Sequence, residues 1–354
     1  MKTHAIIPIF IPHLGCPNDC VFCNQKKITA RTAPLSGEEM TAMIDRYLET
    51  IGGRGIETVE IAFYGGSFTG IPMEQQREFL AVAKAYKDRG LVRKIHLSTR
   101  PDYISDEILE NLKHYGTDII ELGVQSFDEE VLRLSNRGHD RETVYEASRL
   151  IKEYGFELGL QLMIGLPGDT NEKSVRSAEE AAGIKPSIAR LYPTVIIRDT
   201  ELYEMYRRGD YRPLSMEEAV RTTKDMYLIL TGAGVNVIRV GLKSTDLINE
   251  SGEIAGGYHP AFRQLVESEI ARDQMEAQLV RLAPQSSGKT EIVFACSPAS
   301  ISNMIGNRKS NRIYFEKKYP HVRFTFHADA QLPDNVYLLR IPDTISKRKS
   351  LAGI

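Results

Sequence analysis

Cys16, Cys20 and Cys23 fall within the stretch Gly15-Cys16-Pro17-Asn18-Asp19-Cys20-Val21-Phe22-Cys23-Asn24, and the fourth cysteine, Cys296, is far away in the chain. Three residues separate the first pair and two the second. A loop that tight can aim three thiolates at one metal centre, but it offers no fourth. Cubane iron–sulfur clusters normally take four cysteines, so three leave one iron open to a substrate or cofactor. Structural zinc wants a closed set of four and would need His13 or a distant residue here; the spacing also differs from the common zinc knuckles. A lipoprotein signal ending at Cys16 is opposed by Pro8, Pro12 and the lack of a long apolar run before it. A disulfide inside the loop is disfavoured in a reducing compartment.

Hydrophobic periodicity supplies the elements that must carry this loop. The apolar run Ala5 to Ile11 predicts a buried strand leading straight into the cysteines. Ser36 predicts a helix N-cap, with Glu38 and Glu39 in the first turn and Met40, Ile44, Tyr47, Leu48 and Ile51 at helical spacing. Strands follow at Thr58 to Phe63, Lys94 to Thr99, Ile119 to Val124, Leu158 to Ile164, Ile188 to Tyr192 and Val235 to Val240, with helical patterns between most of them. Such alternation predicts a parallel sheet with right-handed crossovers. Six strand–helix units fall short of eight, so the expected fold is α/β, a partial (β/α)6 TIM-like barrel with a small C-terminal α+β extension.

Glycines and polar residues gather at the strand ends, where barrels of this kind place their active sites. Gly65-Gly66-Ser67 follows the second strand, and glycines there let backbone approach a ligand closely. Ser98 to Asp102 ends the third strand and Gln125-Ser126 the fourth; Gln161 and Met163 alternate along the fifth. Arg137, ahead of the next helix, is suited to pairing with a carboxylate. Taken one at a time, each residue is equally explained by capping, surface ion pairing or packing.

Cys-x3-Cys-x2-Cys with Phe22 before the last cysteine resembles the signature of the radical S-adenosylmethionine (SAM) superfamily. That resemblance implies a 4Fe-4S cluster on Cys16, Cys20 and Cys23, with SAM chelating the open iron. It further implies reductive cleavage of SAM to methionine and a 5′-deoxyadenosyl radical. Gly65, Gly66 and Ser67 then match the segment that holds the SAM amino group, with Ser67 where the family usually has an acid. Ser98, Gln125, Arg137 and Gln161 match SAM-contacting positions in relatives that include the oxygen-independent coproporphyrinogen oxidase, although Ser98 and Gln161 stand where those relatives often carry acids. No further catalytic residue is implied. The run from Ser98 to Asp102, with Glu121 to Ser126, Arg137-Gly138-His139, Gly165 to Gly168, Leu191 to Thr194 and Thr200 to Tyr203, resembles the catalytic subunit of Elongator and its bacterial radical-SAM relatives over about residues 5–240. About 114 residues follow position 240. An acetyltransferase domain needs on the order of 150, so the resemblance is to the radical-SAM core without that domain.

The expected domains are 1–242 for the barrel, 243–283 for a loop and helix covering or flanking it, and 284–354 for a small βαββ unit. In the last, a single helix from Ile301 to Tyr319 carries Arg308, Lys309, Arg312, Lys317 and Lys318 around Tyr314 and Phe315, with Ile305, Ile313 and Phe315 expected in the core. Residues 301–354 hold ten Lys/Arg against four Asp/Glu, a net of +6 on an otherwise acidic chain. Basic residues interleaved with aromatics suit RNA, while Cys296 reads as a buried thiol. No apolar run reaches the roughly 18 residues of a membrane span, and a cytoplasmic protein is expected. Together these readings predict a metal-binding, Elongator-like radical enzyme served by a reductase, flavodoxin or ferredoxin-type electron donor, with tRNA as the substrate implied by resemblance. The alternatives left open are a porphyrin-modifying relative and a non-catalytic RNA-binding or zinc-scaffold protein.

Overall fold

The computed structural model describes residues 3–11, 20–23, 35–242, 255–282 and 290–342. Cys16 and residues 243–254 of the loop expected over 243–260 lie outside the described residues, as do the basic residues at 347–349. Chain contacts divide the protein into two compact units at residues 260 and 261.

In the first unit seven strands run parallel in chain order: β1 (His4–Ile11), β2 (Thr58–Gly65), β3 (Lys94–Thr99), β4 (Ile119–Gln125), β5 (Glu157–Ile164), β6 (Ile188–Pro193) and β8 (Asn236–Val240). A short antiparallel pair, β7 (Val195–Ile196) and β9 (Ala255–Gly256), stands apart from that sheet. The sheet curls into a half-barrel whose end strands, β1 and β8, do not pair with each other. Between the strands lie α1 (Gly37–Ile51), α2 (Met73–Asp88), α3 (Asp106–His114), α4 (Glu129–Leu134), α5 (Arg141–Glu153), α6 (Asn171–Ile184), α7 (Glu201–Arg208) and α8 (Met216–Gly232).

Local chemistry sets where these helices begin. Ser36 and Ser215 form capping boxes with Glu39 and Glu218. Ser105, Asp128, Asp140, Thr170 and Thr200 each accept a backbone N–H at the start of their helices; such caps stabilise by about 1 kcal/mol each. One side of each strand is apolar and sealed by helices: Ile7, Ile9, Ile61, Phe63, Ile95, Leu97, Ile120, Leu122, Leu160, Leu162, Ala189 and Leu191 are all buried. Each large aliphatic in that layer contributes roughly 1.5–3 kcal/mol. The other side of the strands is the barrel interior, and it is polar.

The second unit holds α9 (Phe262–Leu282) and a three-stranded sheet in which β10 (Thr290–Cys296) lies between parallel β11 (Val322–Ala328) and antiparallel β12 (Leu338–Arg340). Ala271, Met275 and Leu279 of α9 share a core with Ile292, Phe294, Cys296, Met304, Phe315 and Phe324. The helix expected to flank the barrel is thus part of the C-terminal core. The single helix expected over Ile301 to Tyr319 is two, α10 (Ile301–Ile305) and α11 (Ser310–Lys318). Gly306 takes φ +84 between them and Arg308 and Lys309 follow in left-handed backbone, so the helical repeat is broken there although Met304 and Phe315 enter the same core. Phe315 is fully buried, whereas Ile313, expected in the core, is 57% exposed. No helix among the described residues is long and apolar enough to cross a membrane.

Candidate functional site

One cleft opens at the C-terminal ends of β2 to β5. Cys20, Phe22 and Cys23 line one side of it, and Gly65, Gly66, Ser67, Ser98, Thr99, Arg100, Gly123, Gln125, Arg137 and Gln161 line the rest. Two of the three loop cysteines therefore meet all seven strand-end residues singled out from the sequence. Cys16 and His13 lie outside the described residues.

The visible part of the cysteine loop is tied down by backbone. Cys23 N–H donates to Cys20 O at 2.9 Å, Val21 N–H to Ser135 O at 3.2 Å, and Leu202 N–H to Val21 O at 2.7 Å. Val21 packs with Ile196, Leu202 and Tyr211. The segment after α4 and the start of α7 hold Cys20, which is buried.

Arg137 reaches the cleft from the turn after α4. Its guanidinium donates to Cys20 Sγ at 3.1 Å and to Gly123 O at 2.5 Å. Behind it, Arg100 donates to Arg137 O at 2.5 Å and makes a two-pronged pair with Asp102 at 2.9 and 2.8 Å. Burial, with Arg137 and Arg100 close by, pushes the His139 pKa down to about 3 and keeps this imidazole neutral. Arg137, backed by Arg100, makes the wall beside the Cys20 sulfur cationic.

Gly65 has φ +99, and Gly66 N–H donates to Ile11 O at 3.2 Å, so the pairing with β1 holds the end of β2 where Gly65 and Gly66 line the cleft. A Cβ on Gly123 would stand 3.1 Å from Gln125 Nε2 and 3.6 Å from Arg137 Nη2. Gln125 itself sits at φ +71, a backbone region few non-glycine residues adopt. Its buried Oε1 has no hydrogen-bond partner among the described residues. A buried amide oxygen without a donor needs a ligand or water to supply one. Soft sulfur donors, exposed glycine backbone and an unsatisfied amide fit an iron–sulfur cluster with a polar small molecule beside it. Among the described residues no three His, Cys, Asp or Glu converge as a metal site.

Below the cleft, the barrel interior carries a ladder of charged side chains. Glu60 Oε1 lies 2.6 Å from His96 Nδ1. His96 Nε2 lies 3.1 Å from Glu121 Oε2, close enough to pair but not aligned as a hydrogen bond. Arg190 Nε donates to Glu121 at 2.9 Å, and its other nitrogens reach Tyr64 Oη at 2.8 Å and Tyr192 Oη at 3.4 Å. Gln161 donates to Glu121 and, at 3.3 Å, to Ser98, which joins the ladder to the cleft. Burial works against charge on His96, but the two carboxylates outweigh it and hold its pKa above the ordinary value of 6.5. Burial likewise opposes ionised Glu121, and His96, Arg190 and Gln161 together hold its pKa below the ordinary 4.5. The ladder goes unremarked in the sequence reading. Its signal is a polar side chain inside an otherwise apolar strand, as in Glu60, His96, Glu121, Gln161 and Arg190.

Gly159 makes room for it. A Cβ there would lie 2.9 Å from Ile188 Cγ1 and 3.0 Å from Glu121 Cγ. Gly159→Ala is expected to lower stability by roughly 1–3 kcal/mol through overpacking, read as a lower denaturation midpoint; an unchanged midpoint would show that the wall yields.

The family model described as the radical SAM superfamily matches residues 10–181, and one described as a radical SAM C-terminal domain matches residues 186–272. The chain is similar to the tRNA uridine(34) acetyltransferase of Methanocaldococcus infernus, at 28% identity over 255 residues, 61% of this chain and 48% of that protein. It is 30% identical to human Elongator complex protein 3 over 259 residues, 61% of this chain and 47% of that one. An uncharacterized protein of Methanocaldococcus jannaschii is 30% identical over 233 residues, 62% of this chain and 70% of its own length. Apart from that protein, the chain spans about half the length of these curated relatives. Among solved structures, an N-terminally deleted Elp3 of M. infernus shares the fold with a TM-score of 0.60 at 22% identity, over 77% of this chain and 64% of that one.

Proposed function

Because the chain belongs to the radical SAM superfamily of enzymes, we propose that Cys16, Cys20 and Cys23 hold a 4Fe-4S cluster and that SAM occupies the cleft beside it. When bound, the pair supplies an electron that cleaves SAM and a 5′-deoxyadenosyl radical that takes hydrogen from, or adds to, a substrate. This chain's own residues bind and orient. Backbone of Gly65, Gly66 and Ser67 meets the SAM amino group; Gln125, with Ser98 and Gln161, meets the ribose; and Arg137 meets the carboxylate while it steadies Cys20. The observation that carries this reading is the meeting of two loop cysteines with seven strand-end residues in one cleft.

The chain is related to Elongator complex protein 3, and we propose RNA, with a tRNA uridine as the target base, as its substrate. Cytoplasmic location and a flavodoxin, ferredoxin or reductase as electron donor complete the proposal. Acetyl transfer by this chain is not part of it.

Anaerobic reconstitution should yield about four irons per chain and release of methionine and 5′-deoxyadenosine on reduction. Capture without oxygen should retain tRNA. Zinc in place of iron would overturn the cluster assignment, and a retained tetrapyrrole would redirect the substrate to the porphyrin-modifying class.

A further inference from the structure

Charge on the inner wall of the half-barrel does not balance. Lys94 and Glu157 on that face of β3 and β5 pair with each other at 2.6 Å, and the remaining carboxylates, Glu60 and Glu121, stand with the cations His96, Arg190 and Arg239. His4, which meets Glu60 at 3.2 Å from β1, adds no negative charge. Arg190 is satisfied by Glu121 and two tyrosine hydroxyls, but Arg239 is not. It lies opposite Arg190 in the pairing of β6 with β8 and is half-buried. Among the described residues it has no ion pair and no hydrogen bond. Like charges directly opposite on adjacent strands are destabilising, and Glu121 already serves both His96 and Arg190.

Tyr192 stands two residues beyond Arg190 on the same face of β6, its hydroxyl 3.4 Å from Arg190 Nη1. Burial raises its phenol pKa, while Arg190 and, more weakly, Arg239 pull it back down. A guanidinium with free donors beside a phenol hydroxyl is a fork and an extra donor facing the open interior. Strands are about 4.8 Å apart, so Arg239 on β8 lies about 10 Å across the sheet from Gln161 on β5. A ligand reaching both places is several bonds long.

We propose that Arg239 and the Tyr192 hydroxyl bind an anionic group of the substrate, a phosphate or a carboxylate, on the inner wall beside the SAM cleft. This deepens the proposed function, on which it rests only for the statement that a substrate enters the barrel. Two donors of the Arg239 fork take two oxygens of the anion, and the anion supplies the counter-charge that Arg239 lacks.

The test uses the full chain in three forms: wild type, Arg239→Gln and Arg239→Lys. Melting temperatures are measured without oxygen in inorganic phosphate, in acetate and in chloride at equal ionic strength. At about tenfold excess over Kd, the bound anion should raise the wild-type melting temperature by about 2 °C over chloride. Arg239→Gln should lose that shift and Arg239→Lys should keep part of it. A response to phosphate and not acetate assigns a phosphoester, and the reverse assigns a carboxylate. No shift in wild type with either anion, or the same shift in Arg239→Gln, overturns the site. Iron content and SAM cleavage of the same wild-type preparation report separately on the proposed function: their absence alongside an Arg239-dependent shift would sink that function and leave the anion site standing.

Discussion

Cys20→Ala, reconstituted without oxygen, is expected to hold less than about one iron per chain where wild type holds about four, and to release no 5′-deoxyadenosine above the reductant background. Cys20 is buried, and its sulfur accepts from Arg137 at 3.1 Å. Removing it takes away one of three proposed thiolates and strands a cationic donor. Arg137→Gln keeps the three sulfurs and should lose roughly 10- to 100-fold in SAM cleavage, the range for an outer partner of a metal ligand. Cys296→Ala is the control. That thiol is fully buried in the C-terminal core, and burial pushes its pKa up to about 11, so iron content should be unchanged. A Cys20→Ala protein with full iron and wild-type SAM cleavage would end the cluster assignment.

The second large effect is expected in stability. Glu121→Gln leaves Arg190 without its carboxylate partner and deprives His96 of one of two, at a cost of about 3–5 kcal/mol for a broken buried pair. For a chain of this length that is a fall of about 4–7 °C in melting temperature. The pH dependence has two limbs of opposite sign. Glu121 has a folded pKa below its ordinary 4.5, so its contribution is complete above 4.5 and is lost as pH falls through the lowered value. His96 has a folded pKa above 6.5, so its contribution is complete below 6.5 and is lost as pH rises through the raised value. Both are complete between 4.5 and 6.5. Wild type should therefore be most resistant to heat there, and Glu121→Gln should flatten both limbs. Parallel melting profiles for the two proteins across pH would exclude the ladder as their source.

Strand order and the cleft's residue types are legible in the sequence because both are local. Each strand announces itself by an apolar run, and each strand end by glycine or a polar group within a few residues. The interior ladder is not local. Glu60, His96, Glu121 and Arg190 are 25 or more residues apart, and only the sheet register makes neighbours of them. The break at Gly306 is a different kind of case. A Cβ there would lie 2.3 Å from Ser310 Oγ and 2.7 Å from Asn311 N, so the glycine is needed for a tight turn, yet helical spacing continues across it on paper. That turn also changes the basic run: Arg312 pairs with Glu316 and Lys318 with Glu276, which leaves less uncompensated charge on α11 than composition suggests.

Gln125 is held in left-handed backbone at the end of β4. An L-residue in that region costs roughly 1–2 kcal/mol, and glycine would avoid the cost. Gln125→Gly is thus expected to withstand more denaturant while binding SAM less well. A protein selected only for robustness would have discarded this glutamine; its retention at a sterically awkward corner trades resilience for grip.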